Sequence, residues 1–462
     1  MEESAKEVHD KTKSTVGDIE IYHAPPRGYK VAGLFTLPAY RAPITQCIMI
    51  SFVHLLVVGM FNVLSALGGG GQVDPTTSNN ANTILYSLFC AFALFSGSVC
   101  NYLGPKVTLA TGGIGYSLLS ASYWSYNNNK NEAFVYFGGA MCGVAAAFLW
   151  TAEGSMIMSL PMEHEKGRYV GIFYGISFFG TVIGAIIPTV ENWGGHNSCV
   201  LACFVSNPSK VIRADGSRVV VPRQTTFIQE LKNVVLVVRK EPWIMLFFPY
   251  SFAGLWYIPY QSNDFNAYFF DLRTRAFGSL WFDFGQFSMA VVVGALLDLK
   301  ALGNRRRRAF IGWGFLFILI NAVFIGGVFP ARRSQRGEPP SPLIDVNDSE
   351  AAGYIVLYTF YGAVDGAWQT FAWWIMGTLS NDPLVLSIYS AFYKVFGAMG
   401  AAIVFSLDVK KTSYRAMFGS YWSLLAGSMV LVLVLIYKRV QDSLIDLDLA
   451  QSKETETKDI IE

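Results

Sequence analysis

Five ionisable side chains lie inside long apolar runs of this sequence: His54, Glu153, Asp283, Asp365 and Lys394. An ionisable group among apolar residues is costly, so it usually faces a partner or a water-filled cavity and marks a path for ions, protons or substrate. A carboxylate withdrawn from water can bind and release a proton, and a lysine can pair with it or bind an anion. Each of these groups therefore either binds protons or ions in this way or forms a structural hydrogen bond or ion pair.

Three of these residues are the candidates for coupling or substrate charge: Glu153, Asp365 and Lys394. His54 is a further candidate for titration, although a single histidine on an apolar helix is more often a neutral, hydrogen-bonded residue. Asp283 lies close to one end of its apolar run, so we expect it to reach water.

Uncharged polar and aromatic residues in the same runs are candidates to line a cavity. The polar set is Gln46, Asn62, Gln261, Asn263, Gln286 and Gln369. Asn62 and Gln261 occupy matching positions of an internal repeat described below, which favours a pair of facing groups. The aromatic residues at 256, 257, 260, 368, 373 and 374 could stack on an organic substrate, but lipid-facing or interfacial positions are more common for such residues.

Sequence signatures of an enzyme, a metal site or a cofactor site do not appear. The glycines at 68–71 lack the Lys-Ser/Thr ending of a phosphate-binding loop, and the six cysteines lack metal-ligand spacing. The net charge of +2 does not indicate the strongly basic surface that nucleic-acid-binding proteins carry. We predict a non-enzymatic protein without cofactor or metal, and without a nucleic-acid partner.

The composition indicates an integral membrane protein. Hydrophobic residues make up 52% of the 462 positions and charged residues only 15%, against about a quarter in soluble domains. A span needs roughly 20 mainly apolar residues to cross the bilayer. Eleven runs qualify, at about 43–67, 83–103, 107–126, 133–158, 168–190, 243–263, 278–298, 309–329, 351–377, 384–407 and 416–437.

The distribution of positive charge predicts a twelfth, incomplete span near Cys199–Val205. With this crossing included and both tails cytoplasmic, cytoplasmic segments hold 25 Lys and Arg residues and external loops hold nine. Without it, the count becomes 17 on each side, and cytoplasmic loops should carry the excess. The only glycosylation sequon, at Asn347, falls outside only in the twelve-span topology.

The two halves of the chain repeat weakly but in the same order. Arg41-Ala-Pro43 matches Lys240-Glu-Pro242 at the start of each half, and Gly139-Ala-Met-Cys-Gly143 matches Gly362-Ala-Val-Asp-Gly366 in the fourth span of each half. Three further matches follow the same order, so coincidence among glycine-rich helices is a poor explanation. The repeat places a missing sixth helix near 199–220.

The loop between the second and third spans resembles the signature of the major facilitator superfamily. It reads Gly97-Ser-Val-Cys-Asn101-Tyr-Leu-Gly104-Pro-Lys106, and its Asn-x-Leu-Gly-Pro-Lys form is similar to the uncoordinated-93-like branch, including its fungal group. Leu149-Trp-Thr-Ala-Glu153-Gly-Ser, the stretch at 173–176 and Trp373-Trp-Ile-Met-Gly377 resemble the same branch. The resemblance covers about 30–440.

This resemblance implies an all-α membrane protein with the major facilitator fold, built from two pseudo-symmetric six-helix bundles of which the sixth helix is truncated. It also implies a cytoplasmic gate, in which Gly97 permits close helix contact, a carboxylate caps a neighbouring helix and a basic residue pairs across the bundles. The gate residues are Gly97, Asn101, Gly104 and Lys106, with Asp298 and Arg305 in the second copy. Asn101 replaces the usual carboxylate, which weakens an ion-pair latch, and the basic run at 305–308 is alternatively a topology anchor.

The sequence predicts five segments: a cytoplasmic tail at 1–40, a transmembrane bundle at 41–205, a cytoplasmic loop with an amphipathic helix at 206–242, a second bundle at 243–437 and a cytoplasmic tail at 438–462. The first functional hypothesis is a carrier that moves a small solute across the bilayer by alternating access, with proton coupling. The second is an accessory protein that regulates a channel or carrier as a membrane-protein partner.

The short sixth helix yields a direct prediction at the level of the transcript. Either the sequence lacks a short coding piece, or the protein has a degenerate sixth helix. The first explanation predicts that the native message encodes about a dozen further apolar residues between Glu191 and Asn207. Sequencing the transcript across those codons checks it, and a message that matches the present sequence would favour the accessory role.

Overall fold

The chain folds into a bundle of long helices in a computed structural model. The structure describes residues 29–31, 35–37, 40, 42–66, 73–161, 165–194, 236, 239, 241–338, 340–380 and 383–441. In chain order, the helices are α1 (Pro43–Ala66), α2 (Pro75–Leu103), α3 (Pro105–Asn129), α4 (Glu132–Ser159), α5 (Lys166–Gly194), the discontinuous α6 (242–269), α7 (Leu272–Asp298), α8 (Arg305–Arg333), α9 (Ala351–Leu379), α10 (Pro383–Val409) and α11 (Tyr414–Arg439).

Each of the eleven predicted spans falls on one of these helices. Within the described residues, six helical stretches are long and apolar enough to cross a membrane: α4, α7, α8, α11, Gly167–Ile186 of α5 and Ile388–Val409 of α10. The predicted second span begins too late, because the first turns of α2 are polar. Asp74 caps this helix by accepting hydrogen bonds from the backbone N–H groups of Thr76 and Thr77 at 3.0 and 3.1 Å.

Some predicted segments lie outside the described residues. They are the sixth-helix stump Cys199–Val205, the amphipathic helix Thr225–Lys240 except for its residues 236 and 239, and most of both tails. Ahead of α1, the strands β1 (Tyr29–Val31) and β2 (Phe35–Leu37) form a short antiparallel hairpin in the predicted N-terminal tail.

The helices pack as two halves. In the first half, α4 packs against α2 and α3, and α1 packs against α5; in the second half, α9 packs against α7, and α8 against α11. The contacts between the halves are made chiefly by α5 with α7 and by α2 with α10. Any group on the inner faces of these helices is therefore shielded from both lipid and water.

Glycines at matching positions bring the helices of each half into backbone contact. A Cβ added to Gly143 on α4 would lie 2.2 Å from the carbonyl oxygen of Leu85 on α2, and one added to Gly366 on α9 would lie 2.2 Å from that of Gln286 on α7. Gly139 and Gly362, one turn earlier in α4 and α9, make the same kind of backbone contact with α2 and α7, also one turn earlier. The predicted repeat thus corresponds to one helix-packing arrangement used twice, as small residues allow in membranes.

The linkers after α2 and α7 also repeat. Gly104 and Gly303 both adopt positive φ angles, of 79° and 96°, which residues with a Cβ rarely accept. A glycine at this point lets the chain reverse within one residue after α2, where Pro105 begins α3.

The helix α6 departs from regular geometry. It consists of a 3-10 segment (Pro242–Phe247), two α-helical stretches (Phe248–Ala253 and Tyr257–Pro259), a π-helical segment (Tyr260–Asn266) and a final turn (Ala267–Phe269). Prolines inside a helix remove a hydrogen bond and clash with the preceding turn. Pro249 and Pro259 therefore explain breaks in α6, and π-helical turns often occur at functional positions.

The glycine contacts predict a strong position dependence of Gly→Ala substitutions. Gly366→Ala should destabilise the protein by about 1–3 kcal/mol, because its methyl group overlaps the carbonyl of Gln286. Gly427→Ala on α11 is the matched control, since no atom lies within 4 Å of the added Cβ, and it should be neutral or stabilising. Thermal unfolding of the detergent-purified variants measures both, and equal midpoints would contradict the packing.

Candidate functional site

A buried pair of titratable side chains joins α1 to α4. His54 Nδ1 lies 2.8 Å from Glu153 Oε2, and the two side chains are 4% and 0% exposed. The Trp150 ring, one turn before Glu153, packs edge-on against His54 with centroids 4.5 Å apart. The structure therefore brings together two of the predicted site residues, and His54 is hydrogen-bonded as a buried histidine should be.

Lys394 reaches this pair from the other half of the protein. Its Nζ atom on α10 lies 3.6 Å from the centroid of the Trp150 ring and 5.6 Å from that of Trp373 on α9. A desolvated ammonium over an aromatic face gains about 2 kcal/mol or more. Burial disfavours the charged form of Lys394, whereas Glu153 and Asp365 both favour it electrostatically, so the charge of this side chain depends on both carboxyl groups.

The Asp365 carboxylate is held within the second half. Gln286 Nε2 on α7 donates to Asp365 Oδ2 at 2.6 Å, and Gln369 Nε2 donates to Oδ1 at 3.4 Å. Gln369 in turn accepts a hydrogen bond from the Tyr393 hydroxyl at 2.8 Å. Both glutamines were predicted cavity residues, and their amides stabilise a buried negative charge.

Several buried polar atoms at the contact between the halves have no hydrogen-bond partner. They are Glu153 Oε1, the Tyr174 hydroxyl, Trp373 Nε1 and Ser390 Oγ. A Cβ on Gly154 would lie 2.1 Å from Ser390 Oγ and 2.8 Å from the Trp373 ring, so α4, α9 and α10 meet beside Glu153. Buried polar groups are nearly always paired, so these atoms are suited to bind a polar ligand.

Sequence reasoning overlooked Tyr174 and Ser390 as members of this set. Tyr174 lies within a stretch that resembles the family, which was the available signal, whereas Ser390 lies in an ordinary apolar run. No spacing rule links α5, α9 and α10, because their meeting depends on how the halves dock.

Two expectations about exposure are wrong. Asp283 does not reach water: it is 2% exposed and lies near Thr181 on α5, because α7 turns this face toward α5. The aromatic residues expected at the lipid interface are mostly buried, and Trp368 stacks on Tyr250 at 3.6 Å between ring centroids. Most of their rings fill the core of the second half, whereas Trp373 contacts Phe173 and Tyr174 of the first half.

The predicted pairing of Asn62 with Gln261 stays a prediction. Gln261, in the π-helical segment of α6, donates to the Tyr421 hydroxyl at 3.3 Å, and its Oε1 atom has no partner. Asn62 on α1 is half-buried, and no hydrogen bond links it to Gln261 in the part of the chain that the structure describes. Gln46 is fully buried and donates to the backbone oxygen of Tyr40 at 2.7 Å.

Asp298, a gate residue of the second copy, lies at the contact between α7 and α5. A Cβ on Gly167, in the first turn of α5, would lie 2.1 Å from Asp298 Oδ1 at the end of α7. This carboxylate therefore sits at a helix N-terminus, where the helix dipole favours negative charge. Arg305 begins α8 and is half-buried.

The first copy of the gate motif is described less fully. Gly97 is half-buried on α2, Gly104 ends this helix, and Lys106 is exposed at the start of α3. The Asn101 side chain lies outside the described residues.

The predicted glycosylation site is on an exposed loop. Asn347 lies between α8 and α9, and its side-chain amide donates to Asp345 Oδ1 at 2.9 Å. Arg273 pairs with the same aspartate and holds the pKa of Asp345 below its usual range. Within the described residues, no group of three or more His, Cys, Asp or Glu side chains is arranged to bind a metal ion.

Comparison with known proteins identifies the family. A family described as ion channel regulatory protein UNC-93 matches residues 69–193. A UNC93-like protein of Schizosaccharomyces pombe is 38% identical over 429 residues, which cover 88% of this chain and 85% of that protein. The chain belongs to the UNC93-like family. UNC93-like protein 1 of Arabidopsis thaliana is 34% identical and covers 87% of this chain and 92% of its own length.

The fold of this UNC93-like protein is that of the major facilitator superfamily. A crystal structure of the superfamily transporter FucP superimposes with a TM-score of 0.56 at 11% identity and covers 86% of this chain and 99% of that one. The predicted resemblance and fold class are confirmed. The protein is an integral, multi-pass membrane protein, and its family and fold point to a non-enzymatic role.

The His54–Glu153 contact predicts a measurable coupling in a double-mutant cycle. The variants His54→Ala and Glu153→Gln and their combination should give an interaction energy of about 1–3 kcal/mol in thermal unfolding, because the pair is buried. Tyr136→Phe and Glu132→Gln form the control cycle. Their exposed hydrogen bond of 3.2 Å lies on the same helix and should couple by less than about 0.5 kcal/mol. Equal couplings would contradict the buried pair.

Proposed function

We propose that this UNC93-like protein is a carrier that moves a small polar solute across the membrane by alternating access between its two halves. The observation that carries the proposal is Glu153, which is fully buried and keeps Oε1 without a partner where α4 meets α9 and α10. Carriers of this fold class bind substrate near the bilayer midplane, between the repeats. Trp373 Nε1, Ser390 Oγ and the Tyr174 hydroxyl supply further groups for a solute that carries hydroxyl or amide functions.

Proton coupling follows from the charges around Trp150. Glu153, with His54, belongs to the first half, and Lys394 belongs to the second. While Glu153 is ionised, it attracts Lys394 across the contact and favours the closed arrangement. When the His54–Glu153 pair binds a proton, this attraction weakens and the halves can separate. A proton and a solute bound at one site would thereby control the same movement.

The gate at the cytoplasmic end of the bundle is part of the same proposal. Asp298 against Gly167 holds the end of α7 to the start of α5, at the end of the bundle that we place in the cytoplasm together with both tails. In this proposal the first bundle spans 41–205, the cytoplasmic loop 206–242 and the second bundle 243–437. Release of this contact would open the solute site toward the cytoplasm.

The second candidate function is regulation of a channel or another carrier. It is favoured by the matching family, which is described as ion channel regulatory protein UNC-93. A regulator needs no solute site between its halves, so the regulatory function does not explain the unpartnered polar atoms around Glu153. The two functions are therefore separable by whether the purified protein binds and moves a solute alone.

The carrier proposal predicts solute-driven proton movement in proteoliposomes that contain a pH-sensitive dye. Sugars, polyols, amino acids and nucleosides would first be screened for a shift in unfolding temperature, and the hits tested for proton movement. Glu153→Gln should lower the flux about tenfold or more, equivalent to about 1.4 kcal/mol of lost interaction, and should remove its pH dependence. Lys394→Met should also lower the flux.

Glu132→Gln is the matched control, because it makes the same change at the exposed start of the same helix. It should leave flux and pH dependence unchanged. Unaltered flux in Glu153→Gln would sink the proton-coupling role. If the wild-type protein binds no solute and co-purifies stoichiometrically with a channel, the regulatory role replaces the carrier role.

A further inference from the structure

A second buried cluster of charged and polar groups lies at the end of the bundle opposite Asp298, which we predict to be external. It consists of Asn79 on α2, Asn263 and Asp264 on α6, Arg336 after α8 and Asp408 on α10. Arg336 Nη2 lies 2.5 Å from Asp408 Oδ1 and 3.4 Å from Asp264 Oδ1. One guanidinium group thus contacts two carboxyl groups. Asp264 is 1% exposed and Asp408 is 4% exposed.

The cluster connects the two halves of the protein. Asn79 belongs to the first half, and its Nδ2 atom donates to Asp408 Oδ2 at 2.7 Å. Its Oδ1 atom accepts from Asn263 Nδ2 at 3.0 Å. A single asparagine therefore joins α2 to both α6 and α10, and the strength of this link depends on the charge state of the carboxyl groups.

The two carboxyl groups have unequal surroundings. Asp408 accepts hydrogen bonds from Asn79, Asn263 and Arg336, and three donors stabilise an ionised carboxylate. Asp264 has the long contact to Arg336 and a side-chain contact with Asp408, and its Oδ2 atom is buried without a hydrogen-bond partner. With both carboxylates ionised, the cluster would hold one unbalanced negative charge away from water, which is costly.

The other titratable groups around the cluster do not supply the missing positive charge. The ring of Tyr414 on α11 lies 4.3 Å from the Arg336 guanidinium carbon, and Tyr260 on α6 also faces Asp264. Both are neutral acids in this environment. Burial opposes the charge of Arg336, but Asp264 and Asp408 raise its pKa above the ordinary value, so it remains a cation. Lys410 and Lys411 are exposed at the end of α10.

We propose that Asp264 is a proton-binding site, separate from Glu153, and that its protonation state sets the strength of the link between the halves at this end. Protonated Asp264 leaves one carboxylate for one guanidinium group, so the cluster is neutral and Asp408 keeps its hydrogen bond from Asn79. Ionised Asp264 competes with Asp408 for Arg336 and also repels the Asp408 carboxylate. Both effects weaken the hydrogen bond between Asp408 and Asn79. The proposal does not require that the protein transports a solute.

The test is a distance measurement between the halves as a function of pH. Spin labels at Asn129→Cys on α3 and Ser349→Cys before α9, in a background with the native cysteines replaced, report on this end of the bundle. Both positions are exposed, uncharged and outside the cluster. Pulsed electron paramagnetic resonance in nanodiscs should show the distance distribution shift to longer values from acidic to alkaline buffers, as the buried carboxyl group of Asp264 loses its proton.

Three variants decide the outcome. Asp264→Asn imitates the protonated state and should keep the short distances at every pH, whereas Asn79→Ala removes the link and should give the longer distances at every pH. Glu350→Gln, an exposed carboxylate at the same end, should respond to pH as the parent does. A pH-independent distribution in the parent would overturn the proposal, and so would an Asp264→Asn variant that retains the pH response. Monodisperse elution of each variant establishes that it is folded.

Discussion

The cost of holding charge away from water is the constraint on which the organisation of this protein depends. Glu153 and Lys394 lie between two helical halves and Asp365 lies within the second half, where neither lipid nor bulk water can solvate them. Each must therefore find an oppositely charged, amide or aromatic partner inside the protein. Because some partners come from the opposite half, the docking of the halves and the charge state of the site are one equilibrium.

Close helix packing makes that dependence possible. The glycines of α4 and α9 allow α2 and α7 to approach within backbone contact, so the helices within each half are closely packed. The contacts between the halves combine extensive packing of α5 with α7 and of α2 with α10 with polar groups: a cation–π contact at Trp150, a carboxylate against a helix start at Gly167, and an asparagine link at Asn79. Separation of the halves would have to break this packing as well as the polar contacts.

The three levels of contact differ in what they respond to. The central level holds Glu153 and Lys394 on opposite halves, so under the proposed function a solute or proton would act there directly. Asp298 lies against the start of α5, where the helix dipole favours a negative charge. Asp264 and Asp408 share one guanidinium group, so under the proposal for this cluster their level would respond to protons.

The sequence by itself determined the membrane class, the positions of eleven helices, the repeat and the residues whose burial would be costly, since hydropathy, turn residues and glycine spacing are local properties. It also marked Glu153, His54, Asp365 and Lys394 individually. Only the tertiary structure decided that His54 meets Glu153, that Lys394 lies over Trp150 rather than in a simple ion pair, and that Asp283 and the tryptophans are buried. These partnerships join residues up to hundreds of positions apart on different helices, and helix rotation and docking, which set them, are fixed by packing over the whole bundle and not by any local pattern.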